Sequence, residues 1–186
     1  MRIVAGQAKG RRLAGPADGT RPTSDRAREA LFNSLTALLD LDGARVLDLF
    51  AGTGAVGLEA LSRGAAEAVL VESHRVAADV LRRNADAVGL PGARIVHRPV
   101  AAYLNTPADA PFDLVFADPP YAFSDDDLAV VLAQLATTNR LADGAVLVVE
   151  RATGSPEPRW PDRVTSVQHR RYGAGVLWYG RRDETR

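Results

Sequence analysis

Apolar residues recur along this chain with two alternating periods, and the alternation predicts an architecture. From Asp25 onward Ala27, Ala30, Leu31, Leu35, Leu38 and Leu39 fall at helical spacing, with Pro22 just outside and Thr23 or Ser24 available as N-cap. After Asp42-Gly43, short apolar runs alternate with helical stretches: Val46 to Phe50 then Gly57 to Arg63, and Ala68 to Glu72 then Val76 to Val88. The rhythm continues with a strand at Arg94 to His97, a short helix at Val100 to Leu104, a strand at Phe112 to Ala117, a helix at Asp127 to Thr137 and a strand at Ala145 to Glu150. Repeated βαβ units of this kind predict a doubly wound α/β domain with five parallel strands. The end of the chain departs from the rhythm. There Val164 to Tyr172 and Val176 to Tyr179 flank Gly173-Ala174-Gly175 and read as an antiparallel hairpin on the sheet edge, for seven strands in all.

Open α/β sheets bind ligands outside the carboxyl ends of their strands. Asp48 to Gly54, Glu72, Arg98 and Asp118 all fall at such ends, so four polar features should share one rim. Gly52-Thr53-Gly54-Ala55-Val56-Gly57 matches G-x-G-x-x-G, with Glu72 lying 20 residues after the first glycine. A nicotinamide dinucleotide site has that pattern but no use for a carboxylate inside the preceding strand, where Asp48 stands. An ammonium held by Asp48, a carboxylate received by the loop amides and two ribose hydroxyls on Glu72 describe S-adenosylmethionine instead. A purely structural account competes, in which the glycines form a tight turn and Glu72 a solvated strand end.

Asp118-Pro119-Pro120-Tyr121 closes the run Phe112 to Ala117 with a carboxylate, two residues lacking an N–H and an aromatic ring. Such a surface of hydrogen-bond acceptors suits a planar amine, with Tyr121 stacked on it and Phe123 available to flank it. The plainer alternative is a proline-rich turn with Tyr121 covering core. Because the chain contains no cysteine, chemistry that needs a thiolate, such as methylation at pyrimidine C5, is excluded. The three histidines, His74, His97 and His169, have no ligand-like spacing, so no metal is assigned.

Formal net charge is zero, yet it is unevenly spread. Residues 1–28 hold seven Lys or Arg against two Asp, residues 151–186 hold eight against four acids, and residues 29–150 hold eight against seventeen. Basic ends around an acidic centre suggest a phosphate-binding patch beside a small-ligand site, and all but one of the basic residues are Arg, which suits phosphate forks. Simple solubilisation by the termini is the competing account. At 186 residues the chain should form one core; no apolar run nears the roughly 18 residues of a membrane span, and Met1 to Thr20 lacks a signal-peptide centre, so a cytoplasmic protein is expected.

The residues together resemble class I S-adenosylmethionine methyltransferases, and more narrowly the bacterial RsmD family of 16S rRNA guanine-N2 methyltransferases. The resemblance runs through Arg2-Ile3-Val4-Ala5-Gly6, Gly10-Arg11-Arg12-Leu13, Arg21-Pro22-Thr23-Ser24-Asp25-Arg26 and Arg28-Glu29-Ala30-Leu31-Phe32-Asn33, then Asp48 to Arg63 and Asp118 to Tyr121. It implies a Rossmann-like class I methyltransferase domain over residues 41–186, preceded by a basic RNA-binding arm and helix over residues 1–40. It further implies Asp48, Phe50, Ala51, Gly52, Thr53, Gly54, Glu72 and Ser73 around S-adenosyl-L-methionine, and Asp118, Pro119, Pro120 and Tyr121 around the target base. Many enzymes of the superfamily carry an acid for the adenine amine where this chain reads Arg98-Pro99-Val100-Ala101, so Arg98 and Val100 mark a location only. Lys9, Arg11, Arg12, Arg21, Arg26 and Arg28 are the expected RNA contacts, with Arg170 and Arg171 as further candidates. The implied substrate is one guanine of the 30S subunit or its precursor, and the implied state a monomer. An adenine-N6 or protein-glutamine methyltransferase, a non-catalytic RNA-binding assembly factor and, further off, an NAD oxidoreductase stay open as alternatives.

Overall fold

A computed structural model of the chain describes residues 1–16 and 24–184. Seven strands form one sheet: β1 (Arg45–Leu49), β2 (Glu67–Glu72), β3 (Ala93–His97), β4 (Phe112–Ala117), β5 (Leu141–Ala152), β6 (Val164–Tyr172) and β7 (Gly175–Arg182). Their order is β3-β2-β1-β4-β5-β7-β6; the first five are parallel, and the terminal hairpin joins antiparallel through β7, which leaves β6 as the edge. This is the doubly wound α/β sheet with a C-terminal hairpin that the sequence predicts. The strand order reverses between β1 and β4, where ligand crevices form in such sheets.

Strict alternation divides the core in two. Val46, Ala68, Leu70, Leu114, Phe116, Val146 and Val148 face one cluster, closed by helices α1 (Asp25–Leu35), α2 (Ala55–Ser62) and α3 (Arg75–Val88). Their neighbours Leu47, Leu49, Val69, Val71, Val115, Ala117, Leu147 and Val149 face the other, under α4 (Val100–Leu104) and α5 (Asp125–Thr137). Several boundaries differ from the sequence pattern for local reasons. The helix from Asp25 ends at Leu35, where Leu38 and Leu39 turn back to bond its carbonyl at 2.8 and 2.9 Å; both still reach the core from the turn. Ser24 caps its start by accepting from Ala27 N–H at 3.1 Å, while Thr23 lies outside the described residues. α5 begins two residues earlier than expected, because Ser124 caps it and three aspartates fill its first turn, where the helix dipole favours them.

The segment expected as an appendage shares its core with the sheet: Ile3, Ala8 and Leu13 are buried in the same cluster as Leu31, Phe32 and Leu35. Hydrogen bonds fix it to α2. Glu59 accepts from Val4 N–H at 2.8 Å and Ala5 N–H at 3.0 Å, and Ser62 Oγ accepts from Ala8 N–H at 2.9 Å. Gly6 has φ 81° and lies so close to the Ser62 carbonyl that a Cβ would collide with it. The arm therefore needs glycine there for space and for backbone conformation.

Candidate active site

The glycine loop is built by a change of backbone hand directly after β1. The strand ends at Leu49 and not at Phe50, whose φ of 61° is left-handed; Gly52 and Gly54 follow with φ 55° and 79°. Gly54 is the N-cap of α2, so the loop delivers the chain straight into a helix N-terminus. Its missing side chain also makes room for Leu81 of α3, whose Cδ1 a Cβ would strike. Gly54→Ala should therefore cost at least about 1–2 kcal/mol from the left-handed backbone alone. In a melting experiment that is a fall of roughly 2–8 °C.

Both Glu72 oxygens hold this loop region together. Gly52 N–H donates to Oε2 at 2.8 Å and His74 N–H donates to Oε1 at 2.6 Å. Ser73 follows, exposed, with its carbonyl accepting from His97 Nε2 at 3.1 Å. Asn84 on α3 adds a tie that no motif signals: its Nδ2 donates to the carbonyls of Thr53 at 2.9 Å and Ala14 at 3.1 Å. One amide thus connects the basic arm to the glycine loop.

Asp48 is only 2% exposed, and Gly57 N–H of α2 donates to its Oδ2 at 2.9 Å. Burial pushes this carboxyl up to about 7; the Gly57 bond opposes the rise, and the nearby Asp118 and Glu72 charges add to it. Asp118, one residue beyond β4, is likewise raised by burial to about 6, with Arg151 acting against the rise. A fourth carboxylate stands in the row. Glu150, on β5, is raised to about 7, first by burial and then by Asp118. Glu72, Asp48, Asp118 and Glu150 thus occupy the carboxyl ends of four adjacent strands, β2-β1-β4-β5. Asp48 sits in register with Leu70 and Phe116, residues of the α1–α3 side.

Beyond Asp118 the chain forms a tight turn. Pro119 is buried, Pro120 is exposed and Tyr121 stands 87% exposed, an aromatic ring presented to solvent. The turn is closed by Phe123 N–H donating to the Pro120 carbonyl at 2.8 Å. The Phe123 ring meets Phe50 edge-on, centroids 5.1 Å apart, so the glycine loop and the acceptor turn touch. Arg151 pins the turn from β5, donating to the Phe123 carbonyl at 3.0 Å and to Asp125 at 2.9 Å. Sequence reasoning missed both Glu150 and Arg151. The available signal was the polar pair ending the run Ala145 to Val149.

The remaining expected residues are scattered. Arg98 is exposed past β3, and Val100 is buried as the first residue of α4. Lys9, Arg11, Arg12 and Arg26 are exposed, although Arg11 donates to the Val88 carbonyl. Lys9 and Arg26 meet Arg2, a cation the sequence reading passed over, at a cavity of about 280 Å³ between arm and α1 that also contains Asp25 and Glu29. Arg21 lies outside the described residues. Arg28 is a correction: it is 0% exposed, paired with Asp25 at 2.9 Å and with Glu59 at 3.5 Å, and has no surface to offer RNA. Among the described residues no group of three His, Cys, Asp or Glu is placed to hold a metal ion, and no helix is long and apolar enough to cross a membrane.

Comparison with known proteins places the chain among relatives along nearly its whole length. The family described as conserved hypothetical protein 95 matches residues 1–181. Ribosomal RNA small subunit methyltransferase D of Escherichia coli (strain K12) is 39% identical over 180 residues, covering 96% of this chain and 87% of that protein. The protein of the same name from Haemophilus influenzae is 35% identical over 160 residues, covering 84% and 81%. The solved structure of yhhF from Escherichia coli superposes with a TM-score of 0.87 at 36% identity, covering 100% of this chain and 99% of that one.

Proposed function

The chain belongs to the family of conserved hypothetical protein 95, the RsmD family, and from that membership we propose that it methylates the exocyclic N2 amine of a guanine in small-subunit (16S) ribosomal RNA. The methyl donor is S-adenosyl-L-methionine. The substrate is the assembling or assembled 30S particle, met by a cytoplasmic monomer.

The observation that carries this reading is the single rim on which the Asp48–Gly54 loop and the Asp118–Tyr121 turn meet through Phe50 and Phe123. The donor set fits the cofactor. Asp48 supplies an anion for its ammonium, Gly52 has nothing nearer its missing side chain than the Phe50 carbonyl at 4.0 Å, and Glu72 lies beside the loop for a diol. When bound, the donor supplies an electrophilic methyl group. Asp118 and the Pro119 carbonyl accept the two N–H groups of the amine, which aims the nitrogen lone pair at that methyl and resists its delocalisation into the ring. Tyr121 covers the base plane. A duplex-borne guanine has to be extruded to reach this turn, so Lys9, Arg11, Arg12 and Arg26 hold the backbone around it.

Labelled methyl transfer to unmodified small subunits, free rRNA and duplex DNA, followed by nucleoside mass spectrometry, tests the reading. N2-methylguanosine from the subunits is the expected product; label found only in N6-methyladenosine would overturn the choice of amine. Cofactor binding should also depend on pH, because an ammonium is held by ionised Asp48. With that carboxyl at about 7, affinity measured by calorimetry should fall as pH drops below neutrality, by up to about tenfold per pH unit. Affinity unchanged between pH 5 and 8 would remove Asp48 from the ammonium site.

A further inference from the structure

Taking the methyl transfer proposed above as its premise, we propose that Glu150 is a positioning residue for proton removal: standing beside Asp118 on the neighbouring strand, it makes the Asp118 carboxylate a stronger proton acceptor and shares the proton that the methylated amine releases. Sheet register places the two side by side. Ala117 of β4 is aligned with Val149 of β5, so the next residues, Asp118 and Glu150, flank one another at the rim. Glu150 follows Val148 by two positions and therefore leaves the sheet on the α1–α3 side, the side to which Asp48 belongs. Space is kept for its carboxylate, because a Cβ on Gly175 would lie 3.0 Å from Glu150 Oε1.

Among the described residues no cation stands between the pair on the two strands that carry it. Glu150 is in register with Leu177 of β7, and Leu177 with Arg170 of β6, which sets a full strand between Glu150 and that guanidinium. Tyr179 of β7, with Tyr172 and Arg170 of β6 about it, faces the same region from the hairpin, and Asp48 of β1 lies beyond Asp118. Arg151 lowers Asp118, but its hydrogen bonds are directed to the Phe123 carbonyl and Asp125. Burial raises both carboxyls, Asp118 to about 6 and Glu150 to about 7, and the Asp118 charge adds to the rise of Glu150, so the two titrate as a unit close to neutrality.

The step balances without another reactant. As the nitrogen–carbon bond forms, the sulfur–carbon bond breaks and its electron pair stays on sulfur; the nitrogen, now carrying one proton too many, loses it to Asp118. An exposed aspartate with an ordinary affinity holds that proton poorly; burial raises the affinity of Asp118 toward the range where acceptance is efficient at neutral pH, and an ionised Glu150 beside it opposes loss of the proton once it is taken.

Single-turnover methyl transfer to unmodified small subunits between pH 5.5 and 8.5 provides the test, on the unaltered protein, Glu150→Gln and Glu150→Asp. The unaltered protein should lose activity as pH falls through about 6–7. Glu150→Gln should lose about tenfold at the plateau, with its midpoint moved to lower pH and KM for either substrate changed less than about threefold. Glu150→Asp should restore the original midpoint. Without donor or RNA, the pair should also appear in stability. Both carboxyls bind protons more tightly folded than unfolded, so the stability they contribute is full below about pH 4 and is lost as pH rises from there through about 6–7, and Glu150→Gln should flatten that loss. Should that variant not fold, carbon-13 carboxyl titration of the unaltered protein decides instead: two coupled steps between pH 5 and 8 are expected, and a single Asp118 step at its ordinary value overturns the pairing. An unshifted midpoint in Glu150→Gln overturns it as well, whichever product forms. Formation of a different methylated nucleoside would defeat the guanine assignment alone, since the midpoint shift can be read on that product.

Discussion

Asp118→Ala is expected to reduce methyl transfer by about 10³-fold or more, while binding of small ribosomal subunits changes less than about threefold. On the proposed mechanism three contributions vanish together with this side chain. One N–H acceptor is lost, and a single well-aimed polar group of this kind is worth about 10²–10³ in rate. Orientation of the nitrogen toward the methyl suffers as well, because only the Pro119 carbonyl remains to hold it. The group that receives the proton goes too. RNA affinity should be spared, because the proposed reading assigns it to Lys9, Arg11, Arg12 and Arg26, which are exposed on the arm and α1. Filter binding measures the second quantity and single-turnover labelling the first. Transfer that survived within about tenfold of the original rate would mean that Asp118 is not the acceptor, and equal loss of binding would make the element structural.

Most of the scaffold for this chemistry was legible in the chain. β4, β6 and α4 have the limits their apolar runs predict, because each is bounded by strong local signals such as the prolines after Ala117 and the Gly-Ala-Gly turn after Tyr172. Phe50 shows where local pattern fails: an apolar residue following a strand reads as more strand, and only the left-handed turn needed to enter the glycine loop removes it. Arg28 fails for a different reason. Counting charge along the arm treats every cation as surface, although Arg28 shares helical spacing with Leu31, Phe32 and Leu35 and so falls on the buried stripe of α1. Glu150 was invisible because a glutamate ending a strand looks solvated in sequence. Pairing of β4 with β5 is what turns it into the neighbour of Asp118.

Glu59→Ala is expected to destabilise the protein by about 3–5 kcal/mol, the range for breaking a buried ion pair by removing one partner. On a chain of this size that is a fall in melting temperature of roughly 6–20 °C. The carboxylate is 0% exposed and has four partners: Val4 N–H, Ala5 N–H, Arg63 Nε at 2.8 Å and Arg28 Nε at 3.5 Å. Asp25 does not compensate. It engages the Nη2 of Arg28, which also donates to the Arg2 carbonyl, while Arg28 Nε and Nη1 already lack a hydrogen bond. Loss of Glu59 therefore leaves the buried Nε side of the Arg28 guanidinium and two arm N–H groups without their acceptor at once. Glu59→Gln separates charge from shape, since its amide oxygen still accepts one arm N–H; its cost should fall between that of the alanine variant and zero. Because Val4 and Ala5 fasten the arm to α2, the alanine variant should also weaken subunit binding more than cofactor binding, the reverse of a defect confined to the glycine loop. A melting temperature lowered by less than about 2 °C would show that the arm is held by its buried Ile3, Ala8 and Leu13 and not by this carboxylate.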